Sequence, residues 1–286
     1  MRVLSSRRRF LFPALVLAAM LACWALAAER LPFQPQRGLV EVDVVLNGHA
    51  KGRFGIDTGA DGIYIDRAFA EEHGLVVLDD RVRAVGFGGE VVGSTVRLRS
   101  LAIGSERLHN LTAAAVDLTR LSGSADLGVD GLIGHEVLRD FFVTVDYPGR
   151  ELTLQRELPT FLNDGSTVRL PFEMQGHLVL LDVTIDDSLE VPMALDYCAS
   201  HTIVSAELAE RLGLAGGFGS RGRIGRLAIG RELVTDSVEV VVEDLTSLGR
   251  NLTGRRLQGL LGSSFLYRHK LTLDYRRKRI YLHTRR

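Results

Sequence analysis

Three short blocks of this sequence recur, in the same order, in its second half. Phe54-Gly55-Ile56-Asp57-Thr58-Gly59-Ala60 returns as Met193-Ala194-Leu195-Asp196-Tyr197-Cys198-Ala199. Gly131-Leu132-Ile133-Gly134 returns as Gly259-Leu260-Leu261-Gly262, and Val143-Thr144-Val145-Asp146-Tyr147 as Leu271-Thr272-Leu273-Asp274-Tyr275. The offset is 139 residues at the aspartates and 128 at the last block, so the second copy is 11 residues shorter between them. A chain that repeats itself in this way builds two like units. A loop-length difference accounts for the missing residues.

Period-2 apolar runs dominate both copies, in Val40–Leu46, Thr95–Leu98, Val143–Asp146 and Val238–Val242. They predict strands with one buried face. Helical periodicity is confined to two short stretches at matching places, Asp66–His73 and Ser205–Leu212. Each is followed by a glycine, Gly74 or Gly213, suited to a left-handed helix stop. The fold class is therefore all-β, mostly β with short helices, in two homologous lobes. The expected boundaries are a leader at 1–27, a connection at 28–36, a first lobe at 37–157, a linker at 158–167 and a second lobe at 168–286. The linker rests on the Pro, Gly and short polar residues of Glu157–Ser166.

Arg2, Arg7, Arg8 and Arg9 precede a nearly continuous apolar run from Phe10 to Ala28, the pattern of an export signal. Ala25 and Ala27 are small at the positions a signal peptidase reads, and a cut after Ala27 leaves 259 residues. An uncleaved anchor is the alternative, since about 20 apolar residues span a bilayer. Ser6–Leu11 also resembles a twin-arginine signal, and the general route fits the same arginines. Met20-Leu21-Ala22-Cys23 matches a lipoprotein box poorly. A periplasmic or extracellular location is expected.

Basic and acidic residues number 35 each, and loss of the leader leaves a charge near −4, without the polybasic footprint that nucleic acid requires. Beyond the leader Cys198 stands alone, so no intramolecular disulfide is available after cleavage. No cofactor is read from the chain.

Asp57 follows an apolar β run and precedes Gly59, which lets backbone approach closely where a strand turns out to a cleft. Carboxylates that activate water work as a pair sharing one proton, because like charges about 3 Å apart cannot both ionise. The duplication supplies Asp196 as partner.

At these residues the chain resembles the aspartic peptidases, and more closely their retroviral-type branch and its bacterial relatives. Asp57-Thr58-Gly59-Ala60-Asp61 looks like the active-site loop, and Gly131-Leu132-Ile133-Gly134 like the block that packs beneath it. The resemblance implies two acid-protease-type lobes about a pseudo-twofold axis, with a peptide or protein bound in a central cleft. It implies an Asp57/Asp196 dyad, supported by Thr58, Gly59 and Ala60. Thr58 would make the hydrogen-bonded grip between the two loops. Gly86-Phe87-Gly88-Gly89 would form the flap over the substrate.

The second loop departs from the pattern, with Tyr197 for the threonine and Cys198 for the glycine. The expected function is exported endopeptidase, with a non-catalytic peptide-binding protein as the alternative. Asp57 could also pair with Asp57 of another copy, although an internal pseudo-dimer is the leading expectation. Ala60 and Ala199 stand where many relatives carry a hydroxyl, so the dyad should titrate higher than in strongly acid peptidases, with activity between mildly acidic and neutral pH.

Other motifs carry less. His135-Glu136 begins a zinc-protease helix, but Arg139 replaces the second histidine, so no metal is expected. Gly217–Gly222 has dinucleotide-loop spacing after a helix and before a strand, the reverse of what phosphate binding needs, and reads as a degenerate second flap. Cys198 with His201 is a thiol-nucleophile pattern, against which a small buried hydrophobe is the simpler reading. Asn110-Leu111-Thr112 and Asn251-Leu252-Thr253 match the glycosylation pattern and are given no weight.

Overall fold

The computed structural model describes residues 29–34, 38–86, 88–122, 127–163, 165–214, 216–249 and 256–283. The leader, Phe87 of the flap and Asn251 lie outside them. The chain is mostly β with a few short helices, in two similar barrel-like lobes. In the first lobe a seven-stranded sheet runs Glu41–Leu46, Ala50–Ile56, Gly131–Ile133, Ile63–Asp66, Glu106–Val116, Gly89–Ile103, Val76–Gly86. It curls until Glu41–Leu46 also pairs with Gly89–Ile103. The second lobe repeats this with Glu173–Gln175, Leu178–Ile185, Leu189–Leu195, Gly259–Leu261, Thr202–Ser205, Leu233–Glu243 and Arg221–Ile229, closed between Leu178–Ile185 and Arg221–Ile229.

The period-2 pattern is realised as expected: Val238, Val240 and Val242 are buried while Glu239 points out. The two predicted helices are Arg67–Glu72 and Ala206–Arg211. The Asp66 carboxylate accepts the N–H groups of Ala68 and Phe69, and Ser205 Oγ accepts that of Leu208. Gly74 and Gly213 end them at φ 58° and 66°. Single-turn helices at Leu118–Ser122, His135–Leu138, Thr246–Gly249 and Ser263–Leu266 were not legible, being too short to show a period.

A third, six-stranded sheet joins the lobes: Arg30–Pro32, Glu151–Gln155, Phe142–Asp146, Lys270–Asp274, Arg279–His283 and Thr167–Pro171. Arg30–Pro32 falls in the stretch expected to be a connection at 28–36, yet pairs in register with Glu151–Thr153. Thr167, assigned to the linker at 158–167, opens a strand, and Thr160–Asn163 forms a 3₁₀ turn. The two repeat strands of this sheet run antiparallel with Thr144 opposite Thr272, its own equivalent. The pseudo-twofold axis therefore passes between these two residues, whose buried hydroxyls are 2.8 Å apart.

One apolar core runs through both lobes and this sheet, taking in Val40, Ile56, Val143, Leu195, Leu271 and Ile280. Among the described residues no helix is long and apolar enough to cross a membrane.

Candidate active site

Both aspartates are placed by the same local device. Ala50–Ile56 runs parallel to Gly131–Ile133, and Leu189–Leu195 parallel to Gly259–Leu261. The strands pack tightly because the Phe54 ring fills the space a side chain at Gly131 would need, and Met193 does the same at Gly259. The Asp57 N–H donates to the Ile133 carbonyl at 2.9 Å, and that of Asp196 to the Leu261 carbonyl at 3.0 Å. One turn on, His135 N–H donates to the Ala60 carbonyl and Ser263 N–H to the Ala199 carbonyl, each at 2.9 Å. The recurring Gly-Leu-Ile/Leu-Gly block is thus the shelf on which each aspartate loop rests.

The loops meet at the axis. A methyl carbon at Gly59 would lie 3.1 Å from an Asp57 oxygen and 3.3 Å from an Asp196 oxygen, so the two carboxylates converge on one point. The Gly59 N–H donates to Asp57 Oδ1 and the Cys198 N–H to Asp196 Oδ1, both at 2.8 Å. Asp196 is 7 % exposed, while Asp57 keeps more of its surface open.

Burial pushes the Asp57 carboxyl well above the usual carboxylate range, and the Asp196 charge adds to this. The Gly59 N–H, His177 and the Ala60 N–H pull the other way. Burial also raises Asp196, against the N–H groups of Cys198 and Ala199. Both directions agree with the expectation of a dyad that titrates high, but the larger cause is desolvation rather than a missing hydroxyl at Ala60 and Ala199.

Thr58 is fully buried and bridges the lobes, its Oγ1 donating to the Leu195 carbonyl at 2.7 Å and accepting the Tyr197 N–H at 3.1 Å. Its counterpart Tyr197 does not return the bond through its side chain. The Tyr197 hydroxyl is buried and has no partner among the described residues, as are those of Tyr147 and Tyr275. The rings of Tyr147 and Tyr197 meet edge-on with centroids 6.4 Å apart.

Cys198 is 7 % exposed; its sulfur would lie 2.9 Å from a Cβ on Gly55, and Leu132 lines the same space. Burial raises its thiol, with the Asp57, Asp196 and Glu41 charges acting the same way. His201 turns elsewhere, to Ser200 Oγ at 3.0 Å and an Arg221 nitrogen at 3.3 Å. The thiol-nucleophile pattern is therefore not assembled, and Cys198 packs as a small apolar residue.

Gly86 pairs with Gly89 at the end of the hairpin Val76–Gly86/Gly89–Ile103. The Gly88 N–H donates to the Leu121 carbonyl at 3.0 Å, resting the tip on the Leu118–Ser122 turn. Ala84 of the hairpin, Leu118, Leu121 and Leu39 form one apolar cluster with Cys198, which carries this face of the hairpin to the second aspartate loop.

Among its described residues the second lobe has no such hairpin. Gly217–Ser220 is a turn bonded to Val242 ahead of Arg221–Ile229, and the 11 missing residues are the strand that would have made a flap. The reading of Gly217–Gly222 as a degenerate flap is corrected accordingly.

His135 packs edge-on against Tyr275 at 5.0 Å, its basicity lowered by burial and by the Arg139 and His177 charges. Among the described residues no three His, Cys, Asp or Glu side chains form a metal cluster. Sequence reasoning missed His177, whose Nε2 lies 2.8 Å from the Gly59 carbonyl oxygen. It sits 19 residues before Asp196, where the first lobe has Gly38, so the repeat itself carried no signal for it.

Two like lobes, a shared sheet and one aspartate loop from each define the aspartic proteinase fold. The Aspartyl protease family model matches residues 41–137 and again 181–265, over half of the chain, which therefore belongs to that family. Among solved structures, the aspartic proteinase from Irpex lacteus matches with a TM-score of 0.61 at 15% identity, over 90% of this chain and 97% of that one. At that identity the likeness is one of fold. No curated protein matches the chain.

Proposed function

We propose that this protein is an endopeptidase that hydrolyses peptide bonds through a water activated by Asp57 and Asp196. The observation that carries the reading is the convergence of the two carboxylates on Gly59, with oxygens 3.1 and 3.3 Å from one point. Both acids being raised favours the state in which the pair holds one proton. In that state the ionised carboxylate removes a proton from water as its oxygen attacks the scissile carbonyl. The protonated carboxyl gives its proton to the carbonyl oxygen, and the resulting diol collapses when the leaving nitrogen is protonated. Thr58, Gly59 and Ala60 hold the first loop in place. The hairpin ending at Gly86, Phe87, Gly88 and Gly89 covers an extended peptide or protein substrate. Because Asp57 meets Asp196 of its own chain, the reading requires no second copy.

The test is cleavage of a peptide library by residues 28–286, comparing wild type, Asp57→Asn and Asp196→Asn across pH 3 to 8. Loss of cleavage in both variants, with chelators without effect on wild type, supports the dyad. A wild type that binds peptides and cuts none supports the peptide-binding alternative.

Export is part of the same proposal, supported by the arginines and apolar run of residues 1–28. The N-terminal sequence of protein recovered from the cell envelope distinguishes a cut after Ala27 from an anchor.

A further inference from the structure

The proposed chemistry leaves His177 without a role, although it is the second-lobe side chain that reaches furthest into the first aspartate loop. It occupies the turn between Glu173–Gln175 and Leu178–Ile185, partly buried, with Nε2 2.8 Å from the Gly59 carbonyl oxygen. A carbonyl oxygen only accepts, so Nε2 carries the proton. The neutral Nε2–H tautomer and the imidazolium make this bond equally, and the tie therefore survives titration of the ring. The residue it grips is the one whose N–H donates to Asp57 Oδ1 at 2.8 Å.

The repeat shows what is unusual here. Gly38, the equivalent of His177, also crosses to the opposite lobe, where a Cβ would lie 2.9 Å from Ser200 Cα, but it brings no side-chain donor. The grip between the loops is one-sided in the opposite sense. Thr58 reaches from the first lobe to Leu195 and Tyr197, and among the described residues the Tyr197 hydroxyl makes no bond in return.

We infer that His177 is a positioning residue that supplies, from the second lobe to the Asp57 loop, the tie that Tyr197 does not make. The inference rests on the peptidase reading for its kinetic consequence and on geometry alone for its structural one.

The experiment compares wild type with His177→Ala, which removes the donor, and His177→Gln, which keeps an amide N–H at the position of Nε2. His177→Ala should lower kcat about tenfold or more, the scale on which small misplacements of catalytic groups act, with KM within about twofold. His177→Gln should recover most of the loss. Equal loss in both variants, no loss in either, or a change confined to KM overturns the inference.

Amide hydrogen exchange over residues 57–60 is measured on the same proteins. It should quicken in His177→Ala and return in His177→Gln, and unchanged exchange in His177→Ala overturns the tie. This readout needs no cleavage, so a wild type that cuts nothing defeats the peptidase reading alone and leaves the tie to be decided by exchange.

Discussion

Thr58 and Tyr197 are equivalent residues of the two lobes, and the hydroxyl of the first accepts the backbone N–H of the second at 3.1 Å while donating to the Leu195 carbonyl at 2.7 Å. Both bonds are buried, where an unpaired backbone group costs about 1–3 kcal/mol. Thr58→Val should therefore destabilise the protein by roughly 2–4 kcal/mol and lower kcat, with Thr58→Ser recovering most of both. Denaturant melts and steady-state kinetics on the three proteins check this. A Thr58→Val variant as stable and active as wild type would show that the grip does not hold the loops.

Tyr197 behaves differently because its ring is packed while its hydroxyl has no partner among the described residues. Deleting only the hydroxyl, in Tyr197→Phe, should leave stability unchanged or raised. Tyr197→Ala should cost about 3–5 kcal/mol through the cavity it opens. A loss above about 1 kcal/mol in Tyr197→Phe, the net worth of an ordinary hydrogen bond, would mean that the phenol is bonded in solution.

Gly59 is required by space rather than by backbone angle, since a methyl group there would crowd both carboxylates at 3.1 and 3.3 Å. Gly59→Ala should cut kcat by about a hundredfold or more, as expected when reacting groups are displaced by a fraction of an ångström. Loss of cooperative unfolding is not expected. The check is activity measured beside a thermal melt, and full activity would remove Gly59 from the site.

The dyad also makes stability depend on pH. Both carboxyls are raised in the folded protein relative to the unfolded chain, so each contributes stability that is present in acid and lost as pH rises through its folded value. Asp57→Asn does not titrate at this position. Its stability relative to wild type should climb from about pH 4 towards neutrality, by roughly 1.4 kcal/mol for each pH unit that separates the folded carboxyl from the unfolded one. Activity should fall in acid as the pair takes its second proton, with its maximum between mildly acidic and neutral pH. Urea melts at a series of pH values test the sign, and an activity optimum below about pH 3 would contradict it.

Cys198 is shielded and its thiol is raised, chiefly by burial. A thiol reagent should leave the native protein unmodified and react once it is unfolded. Cys198→Ala should retain most of the activity, measured under the same conditions. Rapid native labelling with loss of activity would return the thiol to the chemistry.

The repeat and its alternation of apolar and polar residues were sufficient for two β-rich lobes, for the capped helices after Asp66 and Ser205, and for Asp57 with Asp196 as the matched pair. These are properties of local spacing, which a linear pattern carries. The strand at Arg30–Pro32 and the shared sheet depend on partners about 120 residues away, and no local pattern distinguishes such a strand from a loop. The missing flap of the second lobe was visible as 11 absent residues; that they amounted to a whole hairpin strand followed only from the pairing of Arg221–Ile229. Whether Tyr197 could replace a threonine, whether Cys198 met His201, and whether a histidine 118 residues from Gly59 touched it were decided by tertiary structure. Side-chain direction and the contact between lobes set those distances, and residue identity at a position contains neither.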